Sequence, residues 1–177
     1  MISREPDVRG VSTTLGTERR QRRPGLGQVP EAIQRFVEAL RTAQWEGLED
    51  AYADDAVFDA SVPNWHFQYE GAAKCVEQLR DWFGIEPMLL EQRVTATEDG
   101  AVVDFELRRM CPGNPAENHP PHVEGTRQAH IFRLRDGKIV EERVYCSGEW
   151  LEEDWKRIDA EAPKVARTID GVRTSPA

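Results

Sequence analysis

The sequence predicts an α+β fold, a curved and mostly antiparallel sheet wrapped around N-terminal helices. Two observations carry this expectation. Up to about residue 84, apolar side chains recur at helical spacing in two separate stretches; beyond it, they alternate through four runs divided by turn signals. A sheet made of consecutive hairpins buries one face, and helices that precede it must cover that face. A sheet curved around a long first helix leaves a pocket at its open end.

Each element has its own signal. Pro30 opens a helix in which Ile33, Phe36, Val37, Leu40 and Ala43 form one apolar stripe. A short second helix is expected around Leu48, Ala51 and Tyr52. Residues 55–62 read as a strand, which Pro63, Asn64 and Trp65 break into a loop carrying Trp65, Phe67 and Tyr69. Gly71 starts a third helix, with Ala72, Cys75, Val76, Leu79, Trp82 and Phe83 on one face. Strands are expected over 89–97, 101–110, 125–135 and 138–145. Glu98-Asp99-Gly100 and Asp136-Gly137 supply glycines at positive φ for the hairpin turns. A last short helix from Glu149 turns Leu151, Trp155 and Ile158 to one side.

The domain organisation follows from composition. Residues 1–28 mix Gly, Ser, Thr and Arg with few apolar side chains and read as a flexible N-terminal arm; 29–160 form the folded domain; 161–177 read as a flexible C-terminal tail. With 39% hydrophobic and 31% charged residues, the chain has globular rather than membrane composition. The formal charge is −9, and six arginines against Glu5, Asp7 and Glu18 in residues 1–28 leave the remainder at −12. That remainder repels nucleic acid; Arg19, Arg20, Arg22 and Arg23 could touch nucleic acid or anionic lipid, but without aromatic interleaving they read as a solvated tail, so neither nucleic acid nor membrane is expected as a partner. Cys75, Cys111 and Cys146 fall in no paired spacing and read as reduced thiols in the cytoplasm. His119 and His122 could share a metal, but Pro120, Pro121 and the want of a third ligand make a solvated loop the expectation, and no metal or other cofactor is anticipated.

Four segments carry a family resemblance. Arg35-Phe36-Val37-Glu38-Ala39-Leu40, Tyr52-Ala53-Asp54-Asp55-Ala56-Val57-Phe58, the helix led by Gly71, and Phe132-Arg133-Leu134-Arg135-Asp136-Gly137-Lys138-Ile139 resemble the nuclear transport factor 2-like superfamily over about residues 30 to 150. More narrowly, Val62-Pro63-Asn64-Trp65, Gln128-Ala129-His130 and Cys146-Ser147-Gly148-Glu149-Trp150 are similar to a SnoaL-like group common in actinobacteria. The resemblance implies a cone-shaped α+β barrel, as in ketosteroid isomerases, and a homodimer. Known active sites of the superfamily do not transfer. Where the isomerases keep a Tyr, an oxyanion-hole acid and a base, this chain has Phe36, His130 and Ala60; where the epoxide hydrolases keep an Arg, an Asp and a distal Asp, it has Glu106, Arg108 and Ser147.

The same matching implies which strand parity faces the pocket: Phe58, Ala60 and Val62; Asp104, Glu106 and Arg108; Gln128, His130 and Phe132; Arg143, Tyr145 and Ser147. Alternation alone argues otherwise on one strand, where Val103, Phe105 and Leu107 form the apolar row. If that row faces out, it makes a platform for a homodimer. His130 is the leading catalytic candidate because imidazole titrates near neutrality, with Glu106 across from it to fix its tautomer; a satisfied core histidine and a surface carboxylate are the plain alternatives. Trp65, Phe67, Phe36, Phe58, Arg108, Gln128, Tyr145 and Ser147 are expected to bind substrate. Asp59 and His66 rank second. Cys146 has the outward parity and no adjacent base, which argues against thiol chemistry. The expected function is a lyase, isomerase or cyclase transferring protons on an apolar, aromatic or polyketide-like molecule without a cofactor; the alternative is a non-catalytic small-ligand-binding domain.

Overall fold

The computed structural model describes residues 28–84, 87–113 and 120–161, and the backbone of 167–169 and 172–174. Its elements run in the order α1 (Glu31–Thr42), a single 3-10 turn (Leu48–Ala51), β1 (Tyr52–Val62), β2 (Trp65–Glu70), α2 (Ala72–Phe83), β3 (Met88–Ala96), β4 (Gly100–Cys111), β5 (His122–Arg135), β6 (Lys138–Leu151) and α3 (Glu152–Glu161), then two short strands, β7 (Arg167–Ile169) and β8 (Val172–Thr174). Apart from Gln28, the expected N-terminal arm lies outside the described residues, as does most of the expected tail.

The fold is α+β, with one curved, unclosed six-stranded sheet in the order β2-β1-β6-β5-β4-β3. Every pairing is antiparallel except that of β1 with β6, where the last strand of the β3-β4-β5-β6 run lies beside the first strand of the sheet. Helices α1 and α2 cover the inner face. Ala32, Ile33, Phe36, Ala39 and Leu40 form the buried side of α1, and Cys75, Val76, Leu79 and Phe83 that of α2. Against them the sheet presents Phe58, Ala60, Ala101, Val103, Phe105, Leu107, Phe132, Ile139 and Val144. Each large side chain so buried contributes on the order of 1.5 to 3 kcal/mol. Ala43, in the left-handed conformation at φ 54°, ends α1.

Several expectations need correction. Pro63 and Asn64 do not open a loop; Asn64 takes φ 61°, the chain reverses, and Trp65 to Glu70 pair with β1 as a strand. Tyr52 begins β1 rather than ending a helix, and residues 149–151 finish β6 before α3 begins. Gly100 serves not by a positive φ but by close approach, since a Cβ there would lie 2.0 Å from the Phe132 carbonyl oxygen. The row Val103, Phe105 and Leu107 faces inward and is core, because it is the more apolar parity and the helices cover that side. A dimer platform therefore cannot be built from it.

Candidate functional site

Between α2, the β1-β2 hairpin and the open ends of β4, β5 and β6 lies a cavity of about 450 Å³. Val62, Pro63, Phe67, Trp82, Phe83 and Leu107 make its apolar wall; Arg109, Glu124, Thr126, Gln128, Cys146 and Glu149 supply the polar lining. Cross-strand register stacks these residues in depth. From the rim inward, Arg109 stands opposite Glu124, Leu107 opposite Thr126, Phe105 opposite Gln128 and Val103 opposite His130.

The floor is the end of a hydrogen-bonded file that runs out of the core. Tyr52 Oη donates to Glu142 Oε2 at 2.5 Å, and His130 Nδ1 donates to Glu142 Oε1 at 2.6 Å. The other ring nitrogen, Nε2, lies 2.9 Å from Gln128 Oε1. Gln128 Nε2 then donates to Cys146 Sγ at 3.3 Å. His130 and Glu142 are both 0% exposed. The histidine ring is wedged among Phe36, Phe105 and Phe132, with ring centroids 5.2, 5.2 and 6.0 Å away. Every buried polar atom of the pair thus has a partner, the condition for placing such groups in a low-dielectric core. Burial, then the Glu142 charge and its hydrogen bond, pushes the Tyr52 hydroxyl well above its ordinary pKa. Burial, with Glu142 adding to it, pushes the Cys75 thiol up to about 12.

The rim is a second cluster. Arg109 Nη2 donates to Glu124 Oε2 at 3.0 Å and to Glu149 Oε1 at 2.9 Å, and Nη1 donates to the Trp82 carbonyl. Cys111 Sγ donates to Glu124 Oε2 at 2.8 Å, and His122 Nε2 sits 2.8 Å from Glu124 Oε1. Burial works against the Glu124 charge, but the hydrogen bonds from Cys111, His122 and Arg109 outweigh it and hold that carboxyl below its usual range. Burial and the Glu124 hydrogen bond push the Cys111 thiol up to about 11. The Pro120 carbonyl and then Glu124 raise the His122 pKa. These donors belong to one face because Cys111 pairs with His122 and Arg109 with Glu124 across β4 and β5. Register thereby brings Cys111 and Glu124 to His122, three side chains with the chemistry to hold a metal, where His119 and His122 with Pro120 and Pro121 read as a solvated loop.

Of the residues singled out from sequence, Gln128 and Phe67 line the cavity, while Phe58 and Phe36 lie behind its wall in the core. The structure does not bring His130 and Glu106 together. Glu106 is on the opposite face of β4, where it accepts from Arg127 Nη2 at 2.6 Å; the carboxylate that meets His130 is Glu142. Asp104 and Arg108 share that outer face, and Arg108 lies 3.4 Å from the centroid of the Trp155 ring on α3. Tyr145 is 50% exposed and, with Ser147, lines a second groove of about 460 Å³ together with Glu106 and Arg127. Trp65 is 70% exposed and lines neither. His66 and Gln68 bind Asp59 on the exposed β1-β2 hairpin.

Cys146 needs the reverse correction. It faces inward, and its sulfur meets Gly148 N at 3.3 Å, Gln128 Nε2 at 3.3 Å and Thr126 Oγ1 at 3.5 Å. Gly148 makes that turn possible. It takes φ 93°, a Cβ on it would come within 2.8 Å of Pro63 Cγ, and the irregularity it creates sets Glu149 opposite Thr126 on the cavity side. Thr126, Cys146 and Glu149 were not expected in the site, although Gln128 fixes the parity of Thr126.

Comparison with known proteins agrees with this architecture. A SnoaL-like domain profile matches residues 33–142. Among solved structures, a putative polyketide cyclase from Pseudomonas putida is 15% identical, with a TM-score of 0.53 over 73% of this chain and 96% of its own. A phenazine biosynthesis-related protein from Pseudomonas aeruginosa is 14% identical, with a TM-score of 0.52 over 81% and 93%. A nuclear transport factor 2-like protein from Mesorhizobium loti is 22% identical, with a TM-score of 0.51 over 67% and 89%. At these identities the likeness is one of fold. Comparison with curated proteins gives no match.

Proposed function

The chain belongs to the SnoaL-like domain family, and from that premise we propose that its cavity takes a flat, largely apolar, carbonyl-bearing molecule, polyketide-like in character, and moves a proton on it as a lyase, isomerase or cyclase does. The observation that carries this reading is the file of Tyr52, Glu142, His130 and Gln128 ending on the cavity floor. An amide has two N–H donors, and with its oxygen held by His130, Gln128 turns its nitrogen outward; one N–H serves Cys146, and the other is available to a ligand oxygen. The Thr126 hydroxyl adds a second donor. Donors fixed in advance stabilise charge developing on a carbonyl oxygen without reorganising during the reaction. His130 is then a positioning residue, acting through Gln128.

The base is assigned to Glu149. Among the described residues Glu124 is held by three partners, whereas Glu149 lines the cavity with a single Arg109 contact and a largely exposed carboxylate. The apolar wall suits flat rings, the cavity falls within the usual size range for small-molecule sites, and a likeness to putative polyketide cyclases supports the ligand class. One observation favours the alternative of a non-catalytic binding domain: His130, the one imidazole of the file, is sealed from the cavity.

A bicyclic aromatic ketone such as α-tetralone tests both in D2O. The proposal expects the ketone to raise the melting temperature and the protein to accelerate deuterium exchange at the carbon next to the carbonyl. Gln128→Ala should slow that exchange by about 10²- to 10³-fold, the usual effect of removing one oxyanion donor. Stabilisation without faster exchange gives the case to the binding domain; neither effect overturns the assignment of this cavity.

A further inference from the structure

We propose that Cys111, His122 and Glu124 form a binding site for a divalent cation of the zinc class at the rim of the cavity. The three side chains offer one ligand atom each, and these atoms all lie within 4.8 Å of one another. They come from three places in the register: Cys111 at the end of β4, His122 directly opposite on β5, and Glu124 two residues on along the same face. The set is thiolate, imidazole and carboxylate. Sulfur disfavours magnesium and calcium, and the mixture with nitrogen and oxygen matches zinc or cobalt.

The hydrogen bonds around the triad prepare it for a cation. His122 Nδ1 lies 2.9 Å from the Pro120 carbonyl oxygen, which accepts its proton and orients the ring. Nε2 faces Glu124 Oε1 at 2.8 Å with a proton between them. A cation bound to both atoms takes the place of that proton. Arg109 grips Glu124 Oε2 and Glu149 Oε1, holding the ligand carboxylate from behind as an outer partner does. The formal charges also close: a thiolate, two carboxylates, one guanidinium and a dication sum to zero. Binding exchanges the Cys111 S–H proton and the proton between His122 Nε2 and Glu124 for bonds to the metal, and releases both protons to solvent. Three protein ligands leave a fourth position, the arrangement of an open rather than a closed zinc site.

This inference does not depend on the proton-transfer reading, and its test needs no substrate. The full-length chain is freed of metal with a chelator under reducing conditions and titrated with cobalt(II). One equivalent per chain should produce a near-ultraviolet thiolate-to-cobalt charge-transfer band that zinc then abolishes. Cys111→Ser should lose the band while Cys146→Ser keeps it, which separates this thiol from the one on the cavity floor. His122→Ala should weaken zinc at least about tenfold, a lower bound taken from what losing even an outer partner costs. Zinc should raise the melting temperature of the parent chain and of Cys146→Ser, but not of Cys111→Ser. No charge-transfer band in the parent chain, or a band that survives Cys111→Ser, overturns the proposal.

Discussion

The two faces of strands β4, β5 and β6 carry similar chemistry under opposite physics. On the inner face, His130 meets Glu142 at 2.6 Å; on the outer face, Arg127 meets Glu106 at the same 2.6 Å. The inner side chains are 0% exposed, the outer ones 56% and 20%. Distance alone would rank the pairs equal. Burial separates them, because a pair removed from water leaves a costly orphan when one partner is lost, while an exposed pair has water to fall back on. One residue of chain parity moves a side chain from one regime to the other. The comparison therefore explains both why His130 belongs to the file behind the cavity and why Glu106 cannot act with it.

The largest effect should come from breaking the inner pair. Glu142→Leu strands His130 Nδ1–H and the Tyr52 hydroxyl in an aromatic core, and a loss of about 3 to 5 kcal/mol in urea unfolding is expected. Adding His130→Leu should recover part of it, since an apolar pair leaves fewer polar atoms unmet. A single-variant cost below about 1 kcal/mol would mean that water reaches this pair, and the contrast between the faces would fail.

Alkaline pH probes the inner face more gently. In an unfolded chain Cys ionises near about 8.5 and Tyr near about 10. In the fold, burial first and Glu142 second push Cys75 up to about 12, and the same causes raise Tyr52 well above its ordinary value. Both groups thus stay protonated in the fold after the unfolded chain has begun to ionise. The stability they contribute is whole below the unfolded pKa and is lost as pH rises toward the folded one. Each should remove about 1.4 kcal/mol per pH unit across its window. Urea midpoints between pH 8 and 11 should therefore fall, with Cys75→Ala flattening the slope from about pH 8.5 and Tyr52→Phe flattening it above about pH 10. Unchanged slopes in both variants would show that neither group is shielded.

What the sequence disclosed, and what it withheld, follows the same division. The helices were legible in Ile33, Phe36 and Leu40, and in Cys75, Val76 and Leu79, because 3.6-residue periodicity is a local signal. The inward face of β4 was legible too, in Val103, Phe105 and Leu107, and that plain alternation proved a better guide than ungapped matching to relatives. The inward face of β6 was not. A regular two-residue turn at Asp136-Gly137 would carry the Arg135-Lys138 pairing along the hairpin and set His130 opposite Arg143. An irregularity between Arg133 and Leu134 adds one residue, so His130 stands opposite Val144 and Glu142 turns inward. A one-residue slip inverts every side chain beyond it, and nothing in the local composition announces this one. The second irregularity, at Gly148, hid Glu149 in the same way. The rim cluster of Arg109, Cys111, His122 and Glu124 needed the register of β4 on β5 across a long connection, which pairwise spacing in the sequence does not give.

The smallest effect should come from the outer pair, and its smallness is the informative result. Glu106→Gln keeps the shape of the side chain and removes its charge from Arg127, which retains a weaker contact with Glu91 at 3.4 Å. Exposed ion pairs contribute about 0.2 to 1 kcal/mol, and the partial burial of Glu106 places this one toward the upper end. Salt near 1 M, with a screening length of about 3 Å, should shrink the difference between parent and variant further. Ketone exchange in the cavity should stay at the parent rate, because the carboxylate and the cavity lie on opposite sides of the sheet. Should Glu106→Gln instead cost as much as Glu142→Leu, or abolish exchange while leaving the fold intact, the parity of β4 would have to be reversed and Glu106 returned to His130.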